Sequence, residues 1–212
     1  MSAASDARFW DRISRKYAAA KISDQAGYER SLERTRGLLG PADRVLELGC
    51  GTGTTALRLA GDVQSYCATD ISAEMIAIAE TKLAAGPMPS LVFRTATAEA
   101  LAPEDGQFDA VLAFNYLHLV RDLPGTLRRI HALLAAEGLF ISKTPCLGDM
   151  NPLIRFALLP AMRAIGMAPH VSVFRASELS QSISDAGFEI SATEDHATKG
   201  NGTRPFIVAR KR

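Results

Sequence analysis

The sequence predicts an α/β domain: a mostly parallel sheet, closed by an antiparallel hairpin and covered by helices on both faces. Three observations carry this. Strand and helix patterns alternate from residue 44 to residue 143. Each strand is short and apolar on both sides, as in a parallel sheet buried between helices. The last two strands, 188–194 and 205–209, are joined only by residues 195–204, and a parallel return needs a longer crossover.

The elements follow in order. Residues 6–18 and 25–39 read as two charged, loosely amphipathic helices, broken around Ile22-Ser23-Asp24 and ended by Gly40-Pro41. Strand 44–48 leads to helix 54–61, and strand 64–69 to helix 73–84 with Ser72 as its cap. Gly86-Pro87 and Pro89 break the chain before strand 91–95, and residues 108–114 form the most apolar strand. Helix 124–135 begins at Pro124, and Gly138 precedes strand 139–143. Two apolar segments, 152–159 and 161–167, come next, then helix 176–186 capped by Ser177, and the hairpin. Counting gives seven strands in a single domain over 1–212. It comprises N-terminal helices (1–39), a core (40–146), an apolar insertion (147–175), and a terminal helix with the hairpin (176–212).

Residues 44–53, Arg-Val-Leu-Glu-Leu-Gly-Cys-Gly-Thr-Gly, carry the strongest functional signal. Val45, Leu46 and Leu48 make a buried strand, and Gly49, Gly51 and Gly53 make the turn that leaves it. Glycine suits backbone that must turn sharply or touch a ligand without an intervening Cβ. A nucleoside laid across that turn reaches Asp70, at the end of the next apolar strand, where a carboxylate accepts from both ribose hydroxyls. Gly51 to Ala56 also satisfies the dinucleotide pattern G-x-G-x-x-A, so a nicotinamide cofactor is the competing reading. Glu47, two residues before the first glycine, suits instead a ligand that carries an ammonium group.

Composition narrows the class. A net charge of +1 gives no global field for nucleic acid. Cys50, Cys67 and Cys146 lie far apart, with neither a disulfide framework nor metal-ligand spacing, so no metal is expected. Residues 1–20 lack the apolar run of a signal peptide, and no stretch reaches the ~18 apolar residues of a membrane span. A cytoplasmic enzyme is the expectation.

The E-x-G-x-G-x-G run from Glu47 to Gly53, followed by Asp70, resembles motif I and the ribose acid of the class I S-adenosylmethionine-dependent methyltransferases. The C-terminal hairpin fits that family's seven-stranded Rossmann-like sheet and counts against a plain dinucleotide fold. The resemblance implies S-adenosylmethionine as cofactor, S-adenosylhomocysteine as product, and direct displacement on the methyl group by a small acceptor. It assigns Gly49, Gly51 and Gly53 to the methionine end, Asp70 to the ribose, and Ile71 and Met75 to the adenine. The segment Thr95 to Leu101 is similar to the family's "GDAEDLP" stretch, with Thr97 in place of its aspartate, and implies adenine contacts from Ala98 and Glu99. Phe114 to Val120 resembles the stretch after the fourth strand, which implies that Asn115 meets the methionine portion and His118 lies beside the transferred methyl. Phe9 to Tyr17 resembles the N-terminal helix of quinone and small-molecule methyltransferases, with Tyr17 near the cofactor's carboxylate and Trp10 walling the pocket.

For the acceptor, Cys146, Asp149, His170 and Phe174 are expected above the fifth and sixth strands. The apolar insertion points to an apolar, lipid-like or quinone-like acceptor, and the basic N-terminal helix admits peripheral contact with a membrane. Two further readings are weaker. An NAD(P)-dependent oxidoreductase leaves Glu47 and the hairpin unexplained, while a non-catalytic cofactor-binding protein would carry the same binding residues. A nucleic-acid substrate lacks both an Asn/Asp-Pro-Pro-Tyr segment and a basic face.

Overall fold

The computed structural model describes residues 3–101, 107–150, 169–198 and 203–212. Seven strands form one sheet in the order β3-β2-β1-β4-β5-β7-β6. They are β1 (Arg44–Leu48), β2 (Ser65–Asp70), β3 (Leu91–Thr95), β4 (Phe108–Phe114), β5 (Leu134–Lys143), β6 (Phe188–Glu194) and β7 (Phe206–Lys211). The first five are parallel, and β7 runs antiparallel between β5 and β6. The sheet is therefore the Rossmann-like one expected, closed by its hairpin.

Helices cover both faces. On one side α2 (Gln25–Arg36), α3 (Ala56–Leu59) and α4 (Ala73–Ala85) bury Leu32, Leu59, Ile76 and Ala79 against Val45, Tyr66 and Leu112. On the other, α5 (Leu123–Leu133) and α6 (Ala176–Asp185) bury Leu127, Ile130, Leu179 and Ile183 against Leu46, Val111 and Phe140. Within a β-strand successive side chains point to opposite faces, so a strand apolar at every position serves both cores. The remaining helix, α1 (Ala3–Ala19), lies against α4 across the ends of the strands.

Several boundaries differ from expectation. The α3 helix is a single turn that continues as a 3-10 turn over Ala60–Asp62. The α5 helix starts earlier because Asp122 caps it, accepting from the Gly125 N–H at 2.9 Å. It stops at Leu133, because Leu134 already pairs with Phe108 at the foot of β5. Glu137, at φ 61°, then takes up a register shift before Leu139 meets Ala110. Ser177 is not the cap of α6. Arg175 holds that position, and its backbone N–H donates to the Glu178 carboxylate at 2.7 Å. The apolar segments expected at 152–159 and 161–167 lie outside the described residues.

Sheet order fixes where a ligand can sit. From β1 the chain builds outward through β2 and β3, then crosses back to place β4 on the other side of β1. The loops that leave β1 and β4 diverge there, and a crevice opens at the carboxyl ends of the two strands. Gly49 and Asn115 are the first residues past those ends.

Candidate active site

The turn after β1 is shaped by backbone that ordinary residues avoid. Gly49, Gly51 and Gly53 have φ of 69°, 56° and 74°. Hydrogen bonds fix the curl, since the Cys50 N–H donates to Thr69 O at 2.9 Å and the Gly53 N–H to Cys50 O at 3.1 Å. The Gly51 N–H donates to Asp70 Oδ2 at 2.9 Å, and the Ser72 N–H donates to Asp70 Oδ1 at 2.9 Å. Each Asp70 oxygen thus keeps an accepting lone pair. Burial raises the Asp70 pKa, the backbone N–H groups of Ser72, Gly51 and Ile71 oppose that, and Asp11 adds to it.

Beside this turn lies a cavity of about 680 Å³. Gly49, Gly51, Asp70, Ile71, Met75, Glu99, Asn115 and His118 all line it, as do Trp10 and Tyr17 from α1. Ten expected residues, from five different stretches of chain, meet at one place. Lid contacts hold α1 over it. Asp11 Oδ1 accepts from Ser72 Oγ at 2.6 Å and from the Glu74 N–H at 3.2 Å, while Asp6 pairs with Arg121. Held in this way, α1 presents Trp10 and Tyr17 to the cavity as part of its wall.

A second cavity of about 650 Å³ adjoins the first along Tyr17, Gly49, Phe114, Asn115 and Arg204. Glu47 borders this second space. It is 2% exposed, and the Tyr66 hydroxyl donates to its Oε2 at 2.9 Å. Burial pushes the Glu47 pKa up to about 7, against the Tyr66 hydrogen bond and with a smaller push from Asp70. Tyr17 stands between the cavities with 49% of its surface exposed. Its hydroxyl pKa is raised by burial first, then by Asp70 and Glu47.

His118 sits on the single 3-10 turn, Leu117–Leu119, that follows β4. Its Nδ1 is buried with no hydrogen-bond partner among the described residues, and burial, helped by the Arg204 charge, lowers its pKa to about 4. The ring is therefore neutral at pH 7 with a nitrogen unsatisfied by the protein.

Trp10, expected as a wall of the pocket, lines the first cavity, whereas Cys146, Asp149, His170 and Phe174, expected around the acceptor, border neither of the two cavities. Cys146 is fully buried, its Sγ 3.5 Å from Thr144 O, and burial pushes its thiol up to about 12. Asp149 accepts from the Ala176 N–H at 2.8 Å and so ties down the first turn of α6. Phe174 is 8% exposed in the core, and His170 lies 3.2 Å from Ser172 Oγ. The cause is the 3-10 turn Leu147–Asp149, which folds the chain back so that Phe174 O accepts from the Gly148 N–H at 2.9 Å. Two cofactor assignments also move. Ala98 is fully buried, with Thr97 and Glu99 forming the wall on either side, and Gly53 borders neither cavity.

Sequence reasoning missed Asp6, Arg121, Lys143 and Arg204, all of which line one or both spaces. Lys143 had a usable signal, as the last residue of the parallel strand β5, since ligands of open sheets collect at the carboxyl ends of strands. Asp6 had none, because only the return of α1 brings it there. Among the described residues no group of three or more His, Cys, Asp or Glu is placed to hold a metal ion, and no helix is long and apolar enough to cross a membrane.

Comparison with known proteins agrees with this geometry. Ubiquinone biosynthesis O-methyltransferase from Methylocella silvestris is 34% identical over 126 residues, 59% of this chain and 48% of that protein. The zebrafish (Danio rerio) mitochondrial arginine-hydroxylase NDUFAF5 is 31% identical over 150 residues, 68% of this chain and 44% of its own. The chain thus spans about half the length of the curated relatives it matches. Magnesium protoporphyrin IX methyltransferase from Synechocystis, solved with bound S-adenosylhomocysteine, shares the fold at a TM-score of 0.73 and 17% identity, over 98% of this chain and 95% of that one. The family described as a methyltransferase domain matches residues 12–193, which take in β1 to β5 and nearly all of β6. The crevice between β1 and β4 and that match lead to one conclusion: the chain belongs to the class I S-adenosylmethionine-dependent methyltransferases.

Proposed function

We propose that this chain transfers the methyl group of S-adenosylmethionine to a small acceptor with an apolar body, of the lipid-like or quinone-like kind. One observation carries the reading: Asp70 and Gly51, locked to each other at 2.9 Å, face a 680 Å³ cavity roofed by α1. The residues present fit that cofactor. Gly51 offers backbone without a Cβ, and Asp70 keeps accepting lone pairs for two ribose hydroxyls. Met75 and Ile71 supply an apolar wall for the adenine, and Thr97 or Glu99 a polar one. Tyr17, Glu47 and Asn115 stand toward the methionine end.

The cofactor supplies an electrophilic methyl group on a sulfonium, so the chain needs neither a nucleophile of its own nor a metal. Its work is to bind, orient and exclude water, which together supply several kcal/mol of a displacement barrier. Trp10, Leu119, Val120 and Pro145 give the acceptor side of the cavity an apolar wall. The neutral imidazole of His118 faces the same space and can accept a proton from an attacking hydroxyl.

The first experiment is thermal unfolding with S-adenosylmethionine, S-adenosylhomocysteine, NAD(H) and NADP(H) in parallel. A ligand at a hundredfold its Kd adds about 2.7 kcal/mol, or roughly 5–10 °C for a domain of this size. Stabilisation by the two sulfur compounds alone, lost in Asp70→Ala, supports the reading. Stabilisation by the nicotinamides sinks it.

A further inference from the structure

The second cavity is lined by two cations, Lys143 and Arg204, neither of which is in direct ion-pair contact with a carboxylate among the described residues. Lys143 ends β5, and its ammonium donates to Ser31 Oγ at 2.8 Å and to Gly27 O at 3.2 Å, both neutral acceptors on α2. An ammonium has three N–H donors, so one remains. Arg204, just before β7, borders both cavities and forms no hydrogen bond or ion pair among the described residues. The two charges sense each other. Burial lowers the Lys143 pKa, Asp24 opposes it, Arg204 lowers it further and Asp195 opposes again.

The neighbouring carboxylates are already engaged. Asp24 accepts from the N–H groups of Gly27 and Thr198, at 3.0 and 2.9 Å, and from the Thr198 hydroxyl. Glu194 takes the Arg34 guanidinium at 2.8 Å and His196 at 2.9 Å. Asp195 accepts from the Ala197 N–H, and Glu47 accepts from Tyr66. Ser31, which aims Lys143, is itself fixed. It donates to Gly27 O at 2.8 Å and lies 3.1 Å from His196 Nδ1, so the ammonium is positioned before any ligand arrives. The carboxylate oxygens are thus taken up by other donors, which leaves N–H groups of Lys143 and Arg204 open to an anionic ligand.

We propose that this cavity seats a carboxylate of the methyl acceptor between Lys143 and Arg204, with the reactive end of the acceptor toward His118. Arg204 links the two positions, since it lines both the cavity that His118 borders and the one that Lys143 borders. The inference rests on the adjoining cavity being the cofactor site. It gives the apolar acceptor one acidic handle, and makes Lys143 and Arg204 the residues that select for it. The cofactor's own carboxylate is the other source of the same chemistry, and the experiment separates the two.

Benzoate, phenylacetate and dodecanoate are each titrated beside the matching carboxamide, on free and on S-adenosylhomocysteine-saturated protein, by calorimetry. At least one carboxylate is expected to bind tenfold or more tighter than its amide. Lys143→Met and Arg204→Gln are expected to erase that preference, and Lys143→Arg to retain most of it, with S-adenosylhomocysteine affinity unchanged within about twofold in the two Lys143 variants. Equal binding of acid and amide, or no binding by any acid of the panel, overturns the proposal. So does a tenfold loss of S-adenosylhomocysteine affinity in both variants, which assigns the cations to the cofactor. Failure of S-adenosylhomocysteine to bind the unaltered protein is a different result: it removes the methyl-transfer reading, while the acid–amide comparison on free protein still reports the anion site.

Discussion

Arg121 grips Asp6 through two nitrogens, with Nε 2.9 Å from Oδ2 and Nη2 2.7 Å from the same oxygen. The pair ties α1, which roofs the cofactor cavity, to the loop that carries His118. A partly exposed pair contributes up to about 1 kcal/mol and weakens in salt. Arg121→Ala should therefore leave the unfolding midpoint nearly unchanged and speed release of S-adenosylhomocysteine up to about fivefold. High salt should bring the unaltered protein close to the variant, and stopped-flow ligand displacement measures both.

In the proposed cofactor site Asp70 would accept from two ribose hydroxyls while already accepting from Gly51 and Ser72. Hydrogen bonds to a charged group are worth about 1.5–3 kcal/mol each. Asp70→Ala should weaken S-adenosylmethionine binding at least a hundredfold by calorimetry, and Asp70→Asn less.

The glycines of the turn should separate stability from binding. A Cβ on Gly53 would lie 2.6 Å from Phe93 Cζ and 2.9 Å from Ala79 Cβ, inside the α4–β3 packing. Overpacking of that kind costs about 1–3 kcal/mol. A Cβ on Gly51 meets nothing closer than Tyr17 Cε1 at 3.5 Å, but Gly51 lines the cavity proposed for the cofactor. Gly53→Ala should lower the denaturant midpoint clearly, whereas Gly51→Ala should lose most of its cofactor affinity for about 1 kcal/mol of backbone strain.

Glu47 gives the fold a pH dependence of defined sign. Its pKa is raised from 4.5 to about 7 in the folded protein. Between those values the folded state holds a proton that the unfolded chain has released. Stability from this group therefore falls as pH rises from about 4.5 to 7 and is constant above, with a total loss of about 3 kcal/mol. Glu47→Gln should keep a partner for the Tyr66 hydroxyl and flatten that part of the profile, which urea unfolding at a series of pH values will read.

His118, with a pKa near 4, is neutral throughout the physiological range. If it accepts the acceptor's proton, His118→Ala should lower kcat by about 10²–10⁴ and leave the Kd for S-adenosylhomocysteine within twofold. The histidine's limb of the kcat profile should lie near pH 4 and be absent in the variant.

What was legible in the sequence is what is decided locally. The strand at 44–48, its alternating glycines and the carboxylate ending the next strand lie within a short run of chain, and their spacing alone sets their geometry. The hairpin was legible because its loop is too short for any other return. The acceptor side was not. Asp149 looks like a free polar group beside a pocket until a single 3-10 turn delivers it to the start of α6. Lys143 looks like a surface charge at a strand end until α2, more than a hundred residues earlier, presents Ser31 to it. Such roles are made by packing between distant segments, which no spacing rule encodes.

Trp10 is the one tryptophan of the 212 residues, and it lies on α1 with its ring 6.2 Å from that of Tyr17 and 5.3 Å from that of Phe9. Indole emission follows the polarity and packing around the ring. All of it here originates at the roof of one cavity, so emission excited beyond the tyrosine absorption band reports the state of that roof in the unlabelled protein.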